Sequence, residues 1–108
     1  MQIPKDEVVV LDIAGSTARV ACDKPRAEQA LEALGFSPEI NQFVREIFGD
    51  ADRQALVLEL IRMDALFAAG RDWSPSELVD FYREQGIISQ GYRTVAWTSP
   101  ESYSILQS

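Results

Sequence analysis

Histidine is absent from this chain, and Cys22 is its single cysteine. Without histidine there is no Ser-His-Asp or Cys-His nucleophile system and no His-ligated metal. One thiol can form neither an intrachain disulfide nor a thiolate cluster for zinc. Lysine occurs only at positions 5 and 24, so any catalysis would rest on carboxylates, Lys5, Lys24, tyrosines or the lone thiol. Neither a catalytic nor a cofactor motif is found. These absences argue against an enzyme and leave no residue assigned to catalysis, a cofactor or a metal.

Long apolar runs are missing as well. No segment reaches the ~18 apolar residues of a membrane helix. The N-terminal MQIPKDEVVV has Asp6 and Glu7 where a signal peptide needs its apolar stretch. The expectation is a cytoplasmic domain with no membrane role. Positive charge is scarce: 10 Lys and Arg face 17 Asp and Glu, a net charge of −7 that disfavours nonspecific contact with nucleic acid. What remains is an ordinary globular composition. With 46% apolar residues in 108, the chain can build one modest core, read as a single α+β domain over residues 1–108.

The pattern along the chain predicts strands at both ends and helices between. Residues 7–13, EVVVLDI, are rich in β-branched side chains, and AGS at 14–16 is a turn signal. TARVAC at 17–22 alternates as a return strand should, completing an N-terminal hairpin. Pro25 opens a first helix that Gly35 stops. Ser37 and Pro38 restart a second, with Ile40, Phe43, Val44, Ile47 and Phe48 at helical spacing up to Gly49. A third helix is read over residues 51–69, capped by Asp50 and apolar around most of its circumference, as a helix enclosed by other elements would be. The segment RDWSPSELVDFYREQG at 71–86 then reads as a fourth. Ser74 and Glu77 form a capping box, Trp73 and Leu78 a hydrophobic staple, and Leu78, Val79, Phe81 and Tyr82 face inward. Strands at 92–97 and 102–106 make a C-terminal hairpin. The fold expected is α+β, with about four helices packed on one face of a small antiparallel sheet built from the two hairpins.

Three features bear on function. Helices followed by a hairpin over residues 53–105 are the order of a winged-helix DNA-binding regulator. Against that alternative stands the exposed ridge of the fourth helix, where Glu77, Asp80 and Glu84 recur at helical spacing with only Arg83 nearby. DNA-reading helices present Arg, Lys, Asn or Gln to bases, and the would-be wing offers only Arg93. Nucleic acid is therefore a disfavoured partner. Glu28, Glu32, Glu46, Glu59, Asp64 and Asp72 extend the acidic character over the helices, which suits a basic protein partner, as for an immunity or inhibitor protein. A Gly-Asp-Ala-Asp run at 49–52 lacks the further ligands of a calcium loop, so Asp50 is read as a cap. Finally, Arg93, Val95 and Trp97 share one strand face, and exposed aromatics beside arginine make interface anchors. Trp97 and Tyr103 are thus candidates for a partner surface or for a homodimer through the C-terminal hairpin. The residues expected to meet a protein partner are Glu77, Asp80, Glu84, Arg93, Trp97 and Tyr103. Cys22, at an inward strand position, reads as a buried structural thiol.

Overall fold

The structure, a computed structural model, describes residues 3–70 and 73–107. Arg71 and Asp72, at the start of the capped segment, lie outside the described residues. The elements in chain order are β1 (Val8–Asp12), β2 (Thr17–Cys22), α1 (Pro25–Ala33), β3 (Ser37–Glu39), β4 (Gln42–Glu46), α2 (Asp50–Arg62), β5 (Leu66–Ala68), α3 (Pro75–Glu84), β6 (Arg93–Ser99) and β7 (Ser102–Gln107).

Among the described residues seven strands join one sheet in the order β3-β4-β2-β1-β5-β6-β7. It is mixed rather than antiparallel: β5 pairs in parallel with β1 on one side and β6 on the other. The remaining pairs are antiparallel, and the sheet curls into half a barrel. The expected four helices on a small antiparallel sheet are therefore replaced, among the described residues, by three helices on a larger mixed one. Two local misreadings account for the difference.

The first lies at residues 38–48, predicted helical and found as the β3–β4 hairpin. Phe43 and Ile47 are buried, but Ile40 is 91% and Phe48 74% exposed, so two members of the supposed helical stripe never reach the core. Read at a period of two, Phe43, Arg45 and Ile47 share a face, and β-branched and aromatic residues suit that pleat. Asn41 supplies the reversal by taking a left-handed conformation (φ 62°), which asparagine tolerates better than most residues.

The second lies at residues 63–69. Helix α2 ends at Arg62, and Asp64 (φ 65°) turns the chain out of the helix. Leu66, Phe67 and Ala68 are all buried, as consecutive residues of a parallel strand covered on both faces must be. The apolar circumference read as an enclosed helix was a half-buried helix followed by a buried strand. Asp50 is the first helical residue rather than the cap, which is Gly49.

All three helices lie on one side of the sheet. Leu31 from α1, Leu56, Val57 and Leu60 from α2, and Leu78, Val79 and Tyr82 from α3 join Val8, Val10, Val20, Phe43 and Phe67 in the main core. Alternation sends Val9, Leu66 and Val95 to the opposite face, where Ile3, Leu11, Trp97 and Tyr103 partly cover them in a second cluster. Arg53 fastens α2 to the first turn, donating from Nε to the Ile13 carbonyl at 3.0 Å and from Nη2 to that of Gly15 at 2.9 Å.

Candidate protein-binding surface

Helix α3 starts where its sequence says it should. Pro75 takes the first helical position, and the Ser74–Glu77 capping box is present. The Glu77 carboxylate accepts the Ser74 backbone N–H at 3.3 Å and its hydroxyl at 3.1 Å. Leu78, Val79 and Tyr82 are buried and fix which way the helix faces. Tyr82 also donates its hydroxyl to Asp50 Oδ1 at 2.7 Å, tying α3 to the start of α2. Burial, reinforced by the adjacent carboxylate, pushes that phenol up to about 12.

With the inner face fixed, Glu77, Asp80, Phe81 and Glu84 turn outward. The expectation that Phe81 points into the core is thus corrected: it is 40% exposed. Trp73, 57% exposed, sets its ring edge-on to Phe81, with centroids 5.8 Å apart. The result is an aromatic pair framed by carboxylates. Glu77 lies one helical turn before Phe81, Glu84 one turn after, and Asp80 beside it. Asp80 is held by Tyr92, whose hydroxyl donates to Oδ1 at 2.6 Å. Arg83, the one base on the helix, lies over the Tyr92 ring at 5.8 Å from the centroid. Glu84 makes no hydrogen bond to a described residue and stands in solvent.

The other three expected residues lie elsewhere. Arg93 is bound within the fold: its guanidinium donates to both oxygens of Glu7 at 3.0 and 2.7 Å, and to Asp64 Oδ1 at 3.1 Å. Its hydrogen bond holds the Glu7 carboxyl below the usual carboxylate range, and the same bond raises the guanidinium. Trp97 and Tyr103 face each other across β6 and β7 and pack half-buried against Val9, Leu66 and Val95. The structure therefore gathers Glu77, Asp80 and Glu84 on one face and puts Arg93, Trp97 and Tyr103 on another. Sequence reasoning assigned Phe81 to the interior and gave Trp73 only the role of a staple residue. The signal was there: Phe81 falls between Glu77 and Glu84 on the same helical ridge.

A depression of about 840 Å³ lies at the other end of the sheet, with Thr17, Arg19, Ser37, Glu39, Arg45 and Glu46 among its lining. Its acids and guanidiniums are intermixed, and Arg45 is engaged by Asp52 at 2.9 Å. Among the described residues no three of cysteine, aspartate and glutamate come together as metal ligands. Cys22 is half-buried, donates its Sγ–H to the Lys24 carbonyl at 3.2 Å, and is pushed up by burial, the opposite of an activated thiol. Comparison with protein-family models, with curated proteins and with solved structures finds no match to this chain.

Proposed function

We propose that this domain is a non-catalytic binding module that meets a positively charged protein surface through the outer face of α3. The observation that carries the reading is the exposed Trp73–Phe81 pair set among Glu77, Asp80 and Glu84. Tryptophan and other aromatics are the anchors of interface hot spots, and a charged rim adds steering and partner choice. Full burial of a phenylalanine is worth about 1.5–3 kcal/mol, and Phe81 retains enough exposed area for a partner to gain roughly 1 kcal/mol from it. The carboxylates around it would meet Arg and Lys of the partner at the edge of that contact. A concrete form is an immunity- or inhibitor-type protein that covers the basic surface of its target. Nothing favours the DNA-reading alternative: α3 shows carboxylates outward, and β6–β7 is the margin of a continuous sheet.

The test compares the wild-type protein with Trp73→Ala and Glu84→Lys as baits for partner capture. A partner that is basic, released by raising ionic strength, and bound about tenfold more weakly by either variant (about 1.4 kcal/mol) supports the reading. A partner held equally by all three, or insensitive to salt, contradicts it.

A further inference from the structure

The two edges of the sheet are built differently. The β3 edge has three residues, with Pro38 at its centre and Glu39 at its end. Proline removes a donor and charge resists pairing, so this edge is guarded against another strand. The β7 edge, Ser102–Gln107, is twice as long and contains neither proline nor charge. Among the described residues no strand lies outside it. Ile105 on one face and Leu106 on the other are 41% and 61% exposed. A long, uncharged edge with exposed apolar side chains is a template for strand addition.

The geometry points to a second copy of this chain as the occupant, its β7 antiparallel to the first across a two-fold axis normal to the sheet. Head-to-tail growth through β3 is blocked, so the pairing closes at two copies. The pleat requires directly opposed residues to share a face, and a register centred on Ile105 satisfies it. Ile105 then faces Ile105, and Ser104 faces Leu106 in both directions, so small side chains oppose large ones. Two chains of net charge −7 repel one another, and β7 is a stretch where contact opposes no like charges. This surface is separate from the α3 face and independent of its assignment. One strand pair buries less than the roughly 1,200 Å² of a standard interface, so the dimer is weak.

Sedimentation equilibrium of the whole chain from low micromolar to millimolar concentration tests this. The wild-type mass should rise from one copy to two, and Leu106→Lys should weaken the dimer at least tenfold while keeping its thermal transition. Should Leu106→Lys fail to fold, Ser104→Lys, also exposed, carries the same expectation. A wild-type protein that stays monomeric at millimolar concentration, leaving the edge to a foreign strand, overturns the proposal. So does a dimer indifferent to the β7 lysine, or one dispersed by Trp73→Ala instead.

Discussion

Tyr82 and Asp50 show how single side chains orient the outer surface. The Tyr82 ring is fully buried among the helices, while its hydroxyl reaches Asp50, whose carboxylate also accepts Arg53 at 3.0 Å and Gln54 at 2.8 Å. Tyr82→Phe keeps the ring and removes the tie, and should cost about 1 kcal/mol in chemical denaturation, the partner carboxylate being able to turn to water. The phenol's folded pKa lies above its unfolded value of 10, so its contribution is complete below pH 10 and is lost as pH rises through about 12. The Tyr82→Phe variant should lack that part of the alkaline decline in stability. On the acid side the sign reverses. Glu7 is lowered by its hydrogen bond from Arg93, Asp50 by Tyr82 first, and Asp52 by the Phe48 backbone N–H and then Arg45. Each contributes stability above its ordinary value, 4.5 for Glu and 3.8 for Asp, and loses it as pH falls through the lowered folded value. Unfolding free energy should drop below about pH 4.5, and Glu7→Gln should flatten that limb. An unchanged acid slope in Glu7→Gln would count against the Arg93–Glu7 tie.

Among the elements, the link from α1 to β3 has a backbone requirement that a simple variant probes. Gly35 sits at φ +95°, and a Cβ there would come within 3.2 Å of Arg45 Nε. Gly35→Ala should destabilise the fold by about 1–2 kcal/mol from the left-handed backbone alone; a neutral effect in thermal melting would contradict the assigned turn. This glycine was legible as a helix stop, as were the N-terminal hairpin signal, the start of α3 and the C-terminal strands. Those features rest on local chemistry: a turn run, a cap, a proline at the first helical position. The β3–β4 hairpin was not legible because Ile40, Phe43, Val44, Ile47 and Phe48 satisfy helical spacing by composition, although solvent takes Ile40 and Phe48. Strand β5 was hidden because three apolar residues a short turn after a helix extend its pattern, and parallel pairing with β1 and β6 distinguishes them. For the candidate surface, the acidic ridge was read correctly as outward-facing, but its aromatic centre was not. Phe81 looks like core until burial of Leu78, Val79 and Tyr82 fixes the rotation of α3.

Taken whole, the molecule separates its roles by face. Three helices cover one side of the sheet, a second apolar cluster with the Arg93–Glu7–Asp64 ion pairs occupies the other, and the margins differ in how they resist pairing. No helix among the described residues is long and apolar enough to cross a membrane. Under the proposed function, the net charge of −7 would attract a basic partner over the whole chain, and the α3 face would be where that partner lands. Site-specific photocross-linking tests this most directly, with a photoreactive phenylalanine analogue at position 81 and, as control, at exposed Gln29 on α1. In cells that express the protein, position 81 should trap a discrete basic protein, and Glu84→Lys should abolish the adduct while position 29 traps none. An adduct equally strong from position 29, or none from position 81, would contradict the assignment of α3 as the binding face.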